Sequence, residues 1–492
     1  MPRTLLSKSA SALALIGALA GCKTVGPDFE RPAAPATSGY LAPGDAVAGA
    51  QQAALGEQVA ADWWRYFGSA ELDQVMRMAV AGNPSIQAAE ATLAALQMQT
   101  RATKAGSAPQ VTLNAGVEGQ RLNLNSFGFD TASFPDLNAN PSFVLYSIGP
   151  AVSYGVSPWG QNRRAVEGAA ARAEAQAHQI DAAYLTITGN IAVQAAQIAA
   201  VRAEIATVEA IIADDRRLID LARKAEEAGA QAQGPQVDAQ ALLDADLARL
   251  PPLRQDLAAA RHALAVLVGK APADWQPPDF DMAGLTLPQR LPLALPSELV
   301  RRRPDILVAE AQLHAATAQI GVATAQLYPQ MQLTAGLTQT GLSPDKLFST
   351  SATVLNLGLA LAAPIYDGGR RKAEREVARQ NAKAALATYQ ATVLTAFGQV
   401  ADLLTAIAHD EEELAAQVRA RETAGRSLQL AQAAYRGGAT GILPVVDAGR
   451  QLNMTRVAEV RAQAQRYTHT AQLFAATGAG LRDAPAAGPP AA

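Results

Sequence analysis

Five histidines, His178, His262, His314, His409 and His469, are scattered at no spacing that would let two share a metal ion, and none stands in the two-histidine helical motif of zinc proteases. Packed or helix-surface positions account for them better than ligation or proton transfer. There is no Gly-x-Ser-x-Gly elbow and no phosphate-cradling glycine loop. Asp367-Gly368-Gly369-Arg370 could hold an anion at a helix start. It reads better as a strand-to-helix turn, because Gly160-Gln161-Asn162-Arg163 stands at the matching place earlier in the chain. Without the unlike groups that a catalytic cleft gathers, the chain is not read as an enzyme, and neither metal nor cofactor is expected. A formal net charge of -3 over 492 residues leaves no footprint for nucleic acid.

The side chain with a clear chemical use is Cys22, the only cysteine in the chain. Arg3 and Lys8 precede an apolar run from Ala10 to Ala20, shorter than the ~20 residues a membrane helix needs, so residues 1–21 read as a signal peptide. Leu19-Ala20-Gly21-Cys22 resembles a bacterial lipobox, in which the thiol takes a diacylglyceryl group and the new amino terminus is acylated. Lys23, where an aspartate would resemble an inner-membrane retention signal, favours sorting to the outer membrane. A single thiol proposes no intrachain disulfide. No later segment reads as an uninterrupted apolar span of membrane length, so no transmembrane helix is expected after the signal.

The elements that carry these motifs are duplicated. Pro84, Glu90, Leu93, Pro109 and Leu113 recur as Pro304, Glu310, Leu313, Pro329 and Leu333, at one constant shift of 220. Further on, Leu221, Gly229, Val237-Asp238-Ala239 and Gly269 recur as Leu430, Gly438, Val446-Asp447-Ala448 and Gly478, at a shift of 209. Each copy reads as a helix, two strands, one very long helix and a shorter return helix. A repeated layout suits a symmetrical wall or tube.

From Gly160 to Gly234 there is no proline, and Val166, Ala170, Ala173, Ala177, Ile180, Tyr184, Ile187, Ile191, Gln194, Ile198, Val201, Ile205, Val208 and Ile212 step by fours and threes. That is the 3.5-residue period of a coiled-coil seam. A helix of this length extends on the order of 100 Å at ~1.5 Å per residue. The second copy repeats it with Val393, Ala396, Val400, Leu403, Ile407 and Leu414. Each long helix ends in a turn with glycine, Gly229 or Gly437-Gly438, which closes a helical hairpin. Asp238 and Asp447 read as first-turn carboxylates or as contacts for a partner.

Before each long helix come two alternating segments. Val111, Leu113, Ala115 and Val117 interleave with Thr112, Asn114, Gly116 and Glu118, and Leu355, Leu357, Leu359 and Leu361 interleave with Asn356, Gly358, Ala360 and Ala362. Strands of about ten residues with one apolar and one small or polar face fit a membrane barrel, and a soluble sheet would alternate alike. Four strands cannot close a barrel, so in lipid several chains would have to complete it.

Val25-Gly26-Pro27-Asp28-Phe29-Glu30-Arg31-Pro32, Trp63-Trp64 with Phe67, Arg303-Pro304-Asp305-Ile306, Tyr328-Pro329, Asp367-Gly368-Gly369-Arg370 and Val446-Asp447-Ala448 together resemble the lipoprotein branch of the TolC-like outer-membrane factors, the NodT/OprM-like branch, over nearly all of the mature chain. The resemblance implies an α+β membrane protein: a tandem repeat of long coiled-coil hairpins with four strands per chain, which complete a 12-stranded β-barrel in a homotrimer. It implies a tunnel into the periplasm, an equatorial layer, and a channel lipid-anchored in the outer membrane of a Gram-negative bacterium. It further implies docking with a periplasmic adaptor protein and an inner-membrane pump, expected to be proton-driven, that exports small toxic compounds. The other reading, a lipid-anchored periplasmic structural or binding protein without a pore, stays open.

On this reading residues 22–70 form a lipidated N-terminal and equatorial segment, 71–270 the first repeat, 271–296 an equatorial linker, 297–480 the second repeat and 481–492 a disordered tail. Helices are expected at about 71–105, 161–228, 236–268, 297–327, 370–436 and 445–478, and strands at about 110–122, 143–157, 330–339 and 353–366. Gly229, Val237, Asp238, Gly437, Gly438, Val446 and Asp447 are the expected adaptor-contacting tips. The family commonly rings its periplasmic mouth with aspartates near the end of the second long helix, but Arg419 to Tyr435 offers none. Asp214, Asp215, Asp220 and Glu422 are the candidate aperture acids, set against a plain role as solvated helix charges. The chain also ends its last helix in Gly478-Ala479-Gly480-Leu481 where the family often has three glycines and a tryptophan.

Overall fold

The computed structural model describes residues 24–42, 51–57, 59–60, 62–123, 140–229 and 232–478. The expected signal segment with Leu19, Ala20, Gly21 and Cys22, most of the 122–142 loop, Ala479-Gly480 and the expected tail lie outside them. In chain order the elements are β1 (Gln52–Leu55), α1 (Ala70–Gly82), α2 (Pro84–Ala105), β2 (Gln110–Arg121), β3 (Ser142–Val156), α3 (Gln161–Glu227), α4 (Gly234–Leu247), α5 (Leu250–Val268), β4 (Arg290–Leu293), α6 (Pro296–Arg302), α7 (Pro304–Ala325), β5 (Gln330–Gly341), β6 (Thr353–Ala362), α8 (Arg370–Arg436) and α9 (Leu443–Ala476). The two long helices, α3 and α8, have 67 residues each.

Several expected elements are cut by proline. The helix expected over 71–105 is two, α1 and α2, because the residue before Pro84 is pushed out of the helical region; Asn83 has ψ 120°. The one expected over 297–327 breaks in the same way at Arg303, before Pro304. The 236–268 helix is α4 and α5, since Pro251 and Pro252 cannot donate to the carbonyls of the preceding turn. The strand expected over 353–366 stops at Ala362, paired with Gln330, the first residue of β5, and Pro364 follows. β1 and β4 were not foreseen: they pair in parallel, Gln52 opposite Arg290. Against expectation, one later helix, α8, contains an apolar stretch long enough to cross a bilayer by length and composition, with 33% of it buried. Its alanine, leucine and valine content is that of a wall helix in a bundle, which passes the same test.

The chain divides into two compact units that do not follow the repeats. The first comprises Met1–Arg31, Leu93–Glu174 and Glu310–Ala387, and it holds a four-stranded antiparallel sheet in the order β2-β3-β5-β6. The second comprises Pro32–Thr92, Ala175–Ala309 and Thr388–Ala492. Its core joins Ile187, Ile191 and Ile198 of α3 with Val393, Ala396 and Val400 of α8, Leu264 of α5 and Phe474 of α9, alongside Trp63, Phe67 and Phe280. Trp63 and Phe474 lie with ring centroids 5.5 Å apart. The seam thus buries Ile187, Ile191, Ile198, Val201, Val208 and Ile212, with Gln194 and Ile205 half-buried, whereas Ala170, at its start in the first unit, is exposed.

The duplication reappears as contacts. Asn83 donates through Nδ2 to the carbonyl of Leu267 at 2.7 Å, near the end of α5, and accepts from the amide of Ser85 at 2.8 Å. Arg303, its counterpart, donates to the carbonyl of Ala476 at 2.7 Å, at the end of α9, to Asp305 at 2.9 Å and to Gln399. In both repeats a polar side chain at the helix break satisfies a terminal carbonyl of the return helix.

Candidate membrane sheet and hairpin tips

The register gives the four-stranded sheet two unlike faces. Directly opposed residues share a face. Val111, Val152, Ala335 and Leu357 form one row, and Tyr154, Leu333 and Leu359 another. On the other face stand Thr112, Ala151, Gly336 and Asn356, then Ser153, Thr334 and Gly358. The apolar face is bare in the single chain: Leu113 is 72% exposed and Leu357 76%. Among the described residues, the outer strands β2 and β6 each have one unpaired backbone edge. Every helix that adjoins the sheet meets it at the same end, since Gln110 opposes Ser153, Val156 opposes Met331 and Gln330 opposes Ala362.

At that end the segment after Cys22 is strapped down. Val25 donates its amide to Trp159 at 3.1 Å. The buried guanidinium of Arg164 donates to Val25 and Gly26 carbonyls and pairs with Asp28 at 2.6 Å and Glu167 at 2.8 Å. Arg31 pairs with Glu310 at 2.6 Å, and Phe29 stacks on His314 at 4.4 Å. A Cβ at Gly26 would fall 2.4 Å from the Cα of Gly321, so only glycine permits this approach. Trp159 donates to the carbonyl of Pro329 at 3.0 Å and stacks on Tyr328. Asp367 accepts from the amides of Gly369 and Arg371 at the start of α8, so its own carboxylate fills the place an anion would take.

The tips are set by left-handed glycines. Gly229 has φ 68° and Gly438 φ 72°. Gly438 donates to Tyr435, and Ala439 to Ala434, the paired bonds of a Schellman cap. Asp238 and Asp447 are the fifth residues of α4 and α9, beyond the first turn where the dipole acts most, and both are exposed. Val237 and Val446 occupy matching positions, yet Val237 is 59% exposed and Val446 6%. Ile442 and Val445 are buried with Ala222, against Leu218, Leu428 and Tyr435.

The four candidate aperture acids have unlike surroundings. Asp214 pairs with Arg217 at 2.8 Å and Arg456 at 2.9 Å. Asp220 is held below the usual carboxylate range by Lys224 and Arg223. Glu422 is exposed, 4.0 Å from Arg421. Asp215 is only 3% exposed, which takes it out of the set of exposed acids. It faces Asp246, 5% exposed, and accepts from Nδ2 of Asn453 at 3.4 Å. Burial first, then the charge of Asp246, pushes the Asp215 carboxyl up to about 7. The Oδ2 atoms of both acids are buried without a hydrogen-bond partner among the described residues, while Oδ1 of Asp246 accepts from Arg249 at 2.9 Å. A cavity of about 490 Å³ opens beside this pair, lined by Asp214, Leu218, Leu428, Tyr435 and Arg456.

Sequence reasoning missed the Arg164 fork and the Asp215–Asp246 pair. The second left a signal: the seam that reaches Ile212 lands three residues on at Asp215, an acid on a packed stripe.

The outer membrane efflux protein model matches residues 75–270 and again 295–479, one match for each repeat. The chain belongs to this family. It is 30% identical over 465 residues to the pyoverdine export outer membrane protein OpmQ of Pseudomonas aeruginosa, covering 94% of this chain and 96% of the relative. Among solved structures, the outer-membrane channel OprN aligns with a TM-score of 0.83 at 25% identity, over 93% of this chain and all of OprN. VceC of Vibrio cholerae aligns with a TM-score of 0.78 at 26% identity, over 86% of this chain and 100% of its own. The chain is therefore an efflux-family protein of the outer membrane, from a family of channels rather than enzymes.

Proposed function

We propose that three copies of this outer-membrane efflux protein join their sheets edge to edge into one 12-stranded barrel, which continues as a helical duct into the periplasm. The observation that carries this reading is the two-faced sheet with open outer edges. In lipid an open edge leaves backbone groups unsatisfied, so β2 of one copy pairs with β6 of the next and the polar face lines the pore. Cys22 carries the lipid; support for a position near the barrel is that Thr24, two residues on, is packed at Gly160, where β3 meets α3. The tips receive a periplasmic adaptor fed by an inner-membrane pump, and small toxic compounds leave through the duct. The pump selects the cargo, since a water-filled duct has little selectivity of its own.

The test is the native mass of the protein extracted gently from the outer-membrane fraction. A trimer whose chains begin at an acylated Cys22 is expected. A lipidated monomer stable in detergent would sink the shared barrel. Protease added to intact cells should cut within residues 122–142; protection until the outer membrane is permeabilised would overturn the topology.

A further inference from the structure

The sheet end that meets the helices is strongly basic. Residues 97–105, 161–172 and 367–383 together carry eleven lysines and arginines against four acids, in a chain whose net charge is -3. The described segments at the opposite end, 121–123, 140–142 and 341–352, carry two cations, Arg121 and Lys346, and one acid, Asp345. The excess is greatest at the start of α8. Lys372, Arg375 and Arg379 follow one another by three and four and so share a face of the helix, with Lys383 four further on. Lys372 and Arg375 form no ion pair among the described residues, whereas Arg379 pairs with Glu376 at 3.5 Å; the Nε of Arg375 is buried and has no hydrogen-bond partner there. On the neighbouring helix ends Lys104 and Arg163 are exposed as well.

Apolar groups stand immediately beside this charge. Ile365 is 98% exposed and Tyr366 91%, a few residues before Lys372, and the apolar sheet face begins at Leu361. An apolar surface, an aromatic ring and then a band of cations, in that order along the chain, is the sequence of environments at a bilayer's edge.

We propose that this collar binds the headgroups of anionic phospholipids in the leaflet that borders the helices. The inference rests on the sheet lying in the membrane, as proposed above. Charge complementarity decides the occupant: long cations in excess over acids, Lys372 and Arg375 without an ion pair among the described residues, beside an exposed apolar face suit phosphodiester headgroups of net negative charge better than zwitterionic ones. Each near-surface cation is worth about fivefold in binding. The effect fades within a Debye length, about 10 Å at 0.1 M salt, so cations deeper along α8 contribute less.

The test uses the full lipidated protein in mild detergent, titrated with phosphatidylglycerol or with phosphatidylethanolamine of the same acyl chains, and native mass spectrometry counts the retained lipid. The wild type should favour phosphatidylglycerol by roughly tenfold or more at low salt, with the preference falling as salt rises. The triple variant Lys372→Gln, Arg375→Gln, Arg379→Gln should keep no more than about a twofold preference. Lys383→Gln, about 17 Å further along the helix than Lys372, should change little. A wild-type trimer that holds the two lipids equally overturns the collar and leaves the duct standing. A triple variant that falls apart into monomers also overturns it, by assigning the cations to contacts between copies. A wild type that is not a membrane-extracted trimer removes the duct reading, and the collar with it.

Discussion

The two hairpins come from one ancestral unit and have diverged in opposite directions. At the second turn Ile442 and Val445 are buried; at the first, the residues 209 positions earlier are Gln233 and Gln236. Deeper in the first hairpin lie the buried acids Asp215 and Asp246; their counterparts in the second are Ala424 and Thr455, also buried but without charge. One hairpin is closed by apolar packing, and the other has an apolar residue in the open at its tip and an acid pair in its wall. A duplicated fold therefore does not imply duplicated packing: apolar burial holds the second turn, while the first hairpin buries two acids.

The strongest way to break this contrast is to remove the apolar anchor. Ile442→Ala should lower the opening free energy of the second turn by about 2–5 kcal/mol, the usual cost of truncating a buried isoleucine. Hydrogen exchange of amides around residues 435–448 would read it. Gln233→Ala, at the matching position, should leave the first turn within about 0.5 kcal/mol. Equal losses would mean that the two turns are anchored alike.

Next in size is pH. Burial and Asp246 place the Asp215 carboxyl at about 7 in the folded chain, against 3.8 for an exposed aspartate. Between these values the folded form holds a proton that the unfolded chain has released. Its stabilising contribution is therefore complete below the lower value and lost as pH rises through about 7. The gap corresponds to a few kcal/mol at most. Exchange in the first hairpin should quicken between about pH 4 and 7 beyond the intrinsic rate, level off above that, and change more than in the second. Asp215→Asn should flatten that difference, and a persistent one would assign the response to other groups.

How much of this was legible in the chain follows from range. The long helices and alternating strands repeat every 3.5 or two residues, so a short window contains the signal. The helix breaks at Asn83 and Arg303 are marked in the sequence by Pro84 and Pro304, but the helical pattern continues on both sides of each proline. β1 has the sequence Gln-Ala-Ala-Leu, with little intrinsic preference for a strand, and forms because Arg290–Leu293 lies beside it. Asp215 and Asp246 look like ordinary helix charges until α3 and α4 are folded against each other. The hairpin turns were legible as glycine positions, while the burial that separates Val446 from Val237 depends on Ile442 and its distant neighbours.

A smaller and more symmetrical effect sharpens the contrast by serving as its control. Among the described residues, neither left-handed glycine has an atom within 4 Å of where a Cβ would stand. Gly229→Val and Gly438→Val should then cost the same, about 1–2 kcal/mol of backbone strain. The consequences should differ: strain at Gly438 is passed to a turn packed on Ile442 and Val445, so adaptor cross-linking and drug resistance should fall more than with Gly229→Val. Unchanged resistance and cross-linking in Gly438→Val would defeat the link between that turn and the pump.

The smallest expected effect on stability carries the most about function. Val237 is more than half exposed, so Val237→Gln removes little packing and should shift stability by no more than about 0.5 kcal/mol, whereas Val446→Gln buries an amide at a site with 6% exposure and should cost about 1–3 kcal/mol. If Val237 is exposed because a partner covers it, its substitution should weaken adaptor cross-linking at the first tip while leaving the protein's thermal stability intact. Val446→Gln should do the reverse in order, losing stability first and contact as a result. A Val237→Gln protein that cross-links like the wild type would show that the open tip is merely unpacked, and adaptor recognition would then fall to Asp238 and the residues around it.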